Sequence, residues 1–292
     1  MTVNLKSAKA SADIDSKGAQ LLSFVGEDNT EYLWQGKAPY WQGRSPILFP
    51  IVGRLREDKA IIGGKEYNMG RHGFARHREF EVEQPDDSTA VFTLKSDEES
   101  KKQYPFDFIF KMVYTLNEDT LTWKYVVENT GKTDMPYAVG GHPAFNCPLE
   151  EGEVYEDYAI EFKNEEKSKC PKIDLHTGLI DFGSRYDALK GSNKIDLSQS
   201  LFANDALVFD DLKSRSCKLF SKKSGKGVEM VWEGFDLFGI WSSTDNAPFV
   251  CLEPWTGCAT AVDENDTFET KRNLIFLKLG ETRSKSFSVR IL

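Results

Sequence analysis

The sequence predicts an all-β protein, a large antiparallel β-sandwich with few short helices, and three features carry that expectation. The dominant hydrophobic period is two, helical periodicity is scarce, and the strand-like runs follow one another without the alternating helices of a parallel sheet. The clearest run places Phe108, Phe110, Met112, Tyr114 and Leu116 on one face. After the polar turn Asn117-Glu118-Asp119-Thr120, the residues Leu121, Trp123, Tyr125 and Val127 repeat the pattern, which predicts a hairpin.

The remaining elements follow the same logic in chain order. Short runs at 20–25, 80–84 and 89–96 read as strands, and a two-turn helix follows, with the Ser96 hydroxyl as its cap, Glu99 as the box partner and Pro105 as its limit. Beyond the hairpin, strand patterns recur at 158–162, 217–221, 227–232, 237–241, 249–253, 274–279 and 286–292. The polar stretch 150–156 and the loop-like region 163–198 read as surface excursions. With no Pro/Ser-rich linker to divide it, the chain 1–292 is expected to form a single domain.

Charge and cysteine usage narrow the function. With 46 acidic against 37 basic residues the formal charge is −9, which argues against nucleic acid as a partner and leaves small neutral substrates open. Five cysteines, an odd number without a C-x-x-C pair, fit a reduced cytoplasmic protein with core-filling thiols better than a disulfide framework or a zinc site. No apolar run is long enough for a membrane span, and no export signal is expected. Gly225-Lys226-Gly227 is a lone turn without the spacing of a phosphate-cradling loop.

Chemistry concentrates in three segments. Two of the four histidines have glycine neighbours, in Arg71-His72-Gly73-Phe74-Ala75-Arg76 and Gly140-Gly141-His142-Pro143-Ala144-Phe145, where backbone and ligand can approach closely. Either histidine alone fits a structural turn equally well. The third segment, Phe249-Val250-Cys251-Leu252-Glu253-Pro254-Trp255, puts Phe249, Cys251 and Glu253 on one strand face. Pro254 then predicts a strand end at Glu253. His77 is expected to be a structural or surface histidine and His176 a loop residue.

Together these segments resemble the signatures of the aldose 1-epimerase (galactose mutarotase) family: His-Gly-Phe-Ala-Arg at 72–76, Gly-Gly-His-Pro-Ala-Phe at 140–145 and Leu-Glu-Pro-Trp at 252–255. The stretch from Ser45 to Arg54 is similar to the family's N-terminal arginine motif. The motifs occur in the family's order across essentially the whole chain, and the similarity is strongest to a bacterial LacX-like branch. The resemblance implies a galactose mutarotase-like supersandwich and a cofactor-free, metal-free isomerase. Its partner is a small-molecule sugar, the free aldohexose whose α and β anomers it interconverts.

By the same resemblance Glu253 is the base, His142 the acid and His72 their helper. Arg54, Arg76 and Asp205 are implied as sugar contacts, with Phe145 and Trp255 as stacking candidates beside the acid and base. At their ordinary values, about 4.3 for Glu and about 6.5 for His, the carboxylate is ionised and imidazolium is accessible near neutrality. Three rival readings accompany this one. A hexose 6-phosphate epimerase would draw on Arg44, Arg71 and Arg78 for charge, a noncatalytic carbohydrate-binding protein would keep only the fold, and a glycoside hydrolase would call for two carboxylates.

Overall fold

The alternating runs become two stacked antiparallel layers in a computed structural model that describes residues 1–292. The larger is a nine-stranded sheet in the order Lys194–Asp196, Tyr158–Phe162, Ser216–Ser221, Gly227–Glu233, Thr282–Ile291, Thr120–Asn129, Phe108–Asn117, Thr89–Lys95, Glu81–Asp86. The predicted hairpin lies within it, with Leu121 opposite Leu116 and Tyr125 opposite Met112. Every apolar residue named for it is buried, so one face of this sheet is the floor of the core.

The second layer is a six-stranded sheet. Leu207–Phe209, Leu237–Trp241, Phe249–Trp255, Gly140–Gly141 and Ile47–Leu48 lie side by side, and Ala144–Asn146 continues the pairing along Phe249–Trp255. Aromatic contacts join the layers. Trp232 of the large sheet stacks on Phe238 of the small one at 4.1 Å between ring centroids, and Phe49 stacks on Phe110 at 4.4 Å. A three-stranded meander, Thr2–Lys6, Ala10–Asp15 and Gln20–Gly26, adds Leu5, Ile14, Leu21 and Phe24 to the same core. No helix is long and apolar enough to cross a membrane.

Three local expectations are corrected. The helix Glu98–Lys101 is capped by Asp97, whose carboxylate accepts from Ser100 N while Asp97 N donates to Ser100 Oγ. Ser96 Oγ, one residue earlier, instead accepts from Phe108 N and pins the following strand. Residues 163–198 are not merely a surface excursion, because the hairpin Cys170–Ile173 and Ile180–Tyr186 forms one wall of the main cavity.

Glu253 is the third correction. It lies inside the strand Phe249–Trp255 rather than at its end. Leu252 N donates to Pro143 O, and the nitrogen of Pro254, two residues on, faces the same neighbour. That neighbour is interrupted at His142-Pro143, so the missing proline donor falls where the ladder is already broken.

Candidate active site

The two strongest motifs are brought together by strand register. Gly140 pairs with Trp255 and Ala144 with Cys251, and both pairs share one register, so His142 falls directly opposite Glu253. The imidazole Nε2 lies 3.4 Å from the Glu253 carboxylate. Val250 and Leu252 point into the main core, while Phe249, Cys251, Glu253 and Trp255 point to the outer face of the six-stranded sheet. On that face the other neighbour of Glu253 is Gly239, whose lack of a side chain makes way for the Trp255 indole, 2.7 Å from where a Cβ would stand.

The two glycines before His142 permit this placement. A Cβ on Gly140 would meet Trp255 at 2.6 Å, and one on Gly141 would meet Phe287 at 2.6 Å. Only glycine lets the strand pass between the Trp255 indole and the large sheet's aromatic residues. The His142 ring is held between tryptophans, stacked on Trp41 at 4.8 Å and edge-on to Trp241 at 5.7 Å.

His72 reaches the same place from the far sheet edge. Its backbone is in the left-handed region, φ 66°, uncommon for a residue with a side chain. Two bonds to one residue hold it there: His72 N donates to Gly53 O at 2.8 Å, and Gly53 N donates to His72 Nδ1 at 3.1 Å. Because Nδ1 accepts, the ring proton is on Nε2, and the imidazole is a donor on its remaining side. The His72 and His142 ring centroids are 5.7 Å apart.

Gly73 locks this turn, since at φ 71° a Cβ would stand 2.3 Å from Phe49 O. Gly73→Ala is expected to destabilise the fold by about 1–3 kcal/mol. Gly64→Ala, at φ 79° with nothing nearby, is the control and costs about 1 kcal/mol. Paired thermal melts check the difference, and equal losses would show that the close approach at Gly73 is unimportant.

These residues face a cavity of about 320 Å³, at the small end of ligand pockets and suited to a single small ring. His142 and Glu253 form its floor, 8% and 1% exposed, and His72 is 9% exposed. Burial pushes the Glu253 carboxyl well above the usual carboxylate range, and the charge of Asp205 adds to the rise. Trp255 is the one neighbour that opposes it, although its Nε1 meets no hydrogen-bond geometry. Burial likewise drives His142 down to about 3 and His72 well below the ordinary histidine value. In this dry setting burial favours the neutral form of both partners, whereas at ordinary values the carboxyl would be ionised near neutrality.

His142, Cys251 and Glu253 each offer a metal-ligand atom, mutually within 4.8 Å. Burial holds the Cys251 thiol, like the Glu253 carboxyl, toward its protonated form, so binding a cation there would have to release protons.

Of the sugar contacts implied by the sequence, Arg54, Arg76, Asp205 and Trp255 line the cavity with the two histidines and Glu253. Phe145 does not. It is 1% exposed in the main core, because alternation turns it away from the face that carries Ala144. Trp41 and Trp241 supply the aromatic walls instead. Among the arginines considered for a phosphate, Arg44 is committed to Leu22 O and Gln35, and Arg78 pairs with Asp97, leaving only Arg71 on the cavity. His77 and His176 are exposed, the former accepting from Arg76 Nε.

Comparison with known proteins shows the family and the fold. Residues 1–282 match the family profile described as aldose 1-epimerase. The chain is 41% identical over 299 residues to the plasmid-encoded protein LacX of Lactococcus lactis subsp. lactis, covering 100% of both chains. Its fold is similar to that of a galactose mutarotase related enzyme from Lactobacillus acidophilus, with a TM-score of 0.95, 32% identity, and coverage of 100% of this chain and 97% of that one. A galactose mutarotase-like protein from Lactobacillus casei superposes with a TM-score of 0.93 at 28% identity, each chain fully covered. Profile, relatives and fold all extend over nearly the whole chain, and it belongs to the aldose 1-epimerase family.

Proposed function

We propose that the chain is a mutarotase that interconverts the α and β anomers of a free aldohexose. The observation that carries this reading is the buried His142 and Glu253 pair, 3.4 Å apart, on the floor of a cavity sized for one sugar ring. Glu253 as base takes the proton of the C1 hydroxyl while the bond from C1 to the ring oxygen breaks. The electron pair of that bond stays on the ring oxygen, which takes a proton from His142. Rotation about C1–C2 presents the other face of the aldehyde, and the same steps in reverse close the ring. Protons and electrons balance with no cofactor.

The resting protonation supports the scheme once sugar is considered. The pair carries one shared proton, which must move from Glu253 to His142 before ring opening. Sugar hydroxyls that donate to the carboxylate stabilise its ionised form, the support that burial alone withholds. His72, a donor at Nε2, is placed to bond the ring oxygen or an adjacent hydroxyl, and Trp41, Trp241 and Trp255 offer apolar faces for the ring. Five buried free cysteines favour a reducing, cytoplasmic setting.

Polarimetry of freshly dissolved α-D-galactose and α-D-glucose tests the reading. The expected result is decay of optical rotation faster than in buffer and proportional to protein concentration. Sugar binding without any acceleration would replace this reading with that of a noncatalytic carbohydrate-binding protein.

A further inference from the structure

The acid and base are joined by a third donor that ring opening does not use. Cys251 lies two residues before Glu253 on the same strand face, and His142 stands across from Glu253. Strand register thus brings a thiol, an imidazole and a carboxylate together. Their donor atoms lie within 4.8 Å of one another, the one such trio in the chain.

The spacing is that of a tetrahedral metal site. All three residues are buried, and Glu253 Oε2, which has no hydrogen-bond partner, lies 3.4 Å from His142 Nε2. Zinc bonds of about 2.0–2.2 Å to nitrogen and oxygen, set at the tetrahedral angle, hold their donors about 3.3–3.5 Å apart. The imidazole and carboxylate already stand at that distance. A zinc–sulfur bond of about 2.3 Å places sulfur about 3.6 Å from the other donors, so the thiol has to close by about 1.2 Å at most.

We propose that His142, Cys251 and Glu253 form an inhibitory site for zinc, which binds the sugar-free protein and is excluded by sugar. Donor type selects the ion. Thiolate and imidazole disfavour magnesium and calcium, which take oxygen ligands, and zinc, unlike copper, has no redox chemistry with a thiol. On binding, bonds form from zinc to sulfur, nitrogen and oxygen, and the protons of the thiol and carboxyl pass to solvent. Thiolate and carboxylate then cancel the two charges of the ion, so the buried floor gains no net charge. A water from the cavity takes the fourth position.

The ion site stands on geometry alone, whereas the inhibition rests on the anomer-interconverting reading of the same cavity. Zinc takes the lone pair on which His142 would carry its proton and the carboxylate that accepts one from the C1 hydroxyl. Acid and base are blocked together.

The test titrates the intact, sugar-free protein with zinc chloride by calorimetry, and with cobalt(II), whose thiolate complexes absorb in the near ultraviolet. One zinc per chain and a cobalt–thiolate band are expected. Cys251→Ala keeps a small apolar side chain there, yet should bind zinc about a hundredfold more weakly, no less than loss of an outer-shell partner costs, and lose the band. Cys251→Ser, nearer in volume, should do the same. Polarimetry with galactose supplies the functional arm. Zinc should slow the parent, EDTA or saturating galactose should restore it, and Cys251→Ala should keep the parent rate and resist zinc. Cys258→Ala, which removes a thiol from the cavity wall and leaves the trio intact, should stay as zinc-sensitive as the parent.

A parent that takes up no zinc, or uptake and a cobalt band that survive both Cys251 substitutions, would overturn the site. Zinc held through Cys251 that leaves the parent rate unchanged would overturn the inhibition. If galactose stays at the buffer rate in every sample while zinc binds through Cys251, the anomer-interconverting reading falls and the ion site stands.

Discussion

Glu253→Gln is expected to lower kcat for mutarotation by about 10²–10⁴-fold while making the protein more stable at pH 8. The two effects have one origin. Burial raises the folded-state value of Glu253 well above its unfolded value, so above the unfolded value folding must take up a proton. The stability that the neutral carboxyl contributes is fully present below the unfolded value and is lost as pH rises toward the folded one. Glutamine keeps the shape and cannot ionise, so the variant escapes that loss. Each kcal/mol so regained raises Tm by about 2 °C in a chain of this size.

Thermal melts at pH 5 and pH 8 with parallel polarimetry check this, and the stabilisation should be larger at pH 8. Full activity in the variant would remove Glu253 from the base role. A variant less stable at pH 8 than at pH 5, relative to the parent, would show that the carboxyl is ionised in the resting protein.

How far such a site is legible depends on which residues are periodic. The hairpin of Phe108–Asn117 and Thr120–Asn129 is plain because its sheet buries one face only, so alternation in sequence mirrors alternation in exposure. The strand Phe249–Trp255 is buried on both faces, and Pro254 reads as a terminator because the gap in its neighbour is a tertiary feature. The hairpin from Cys170 to Tyr186 is half-exposed, and a register shift at Pro171/Lys172 breaks its period. Trp41 and Gly239 carry no local mark of function: one sits in an irregular stretch, and the other matters only by its cross-strand position. His142, Glu253 and His72 were readable through their motifs. Their protonation was not, since it depends on a desolvation that no single segment creates.

That protonation gives His142→Asn a signature beyond loss of rate. The rate is expected to fall by about 10²–10⁴-fold, as for any positioned acid. In the parent protein kcat/KM requires one proton on the pair, placed on His142. Two protons block the base, and none removes the acid. Since His142 is driven down to about 3 and Glu253 is raised, the macroscopic steps of the pair are widely separated. The profile is therefore a broad plateau, and its alkaline decline marks the loss of the proton that rests on Glu253. With Asn at 142 only the base remains, and it works solely when ionised. The residual activity should rise with pH through the range in which the parent declines. Polarimetric pH profiles of the two proteins check this inversion. A parent profile with its alkaline limb near the ordinary histidine value of about 6.5, or a variant that declines in parallel with it, would mean that the proton resides on His142 in the free enzyme. Burial would then not govern the pair.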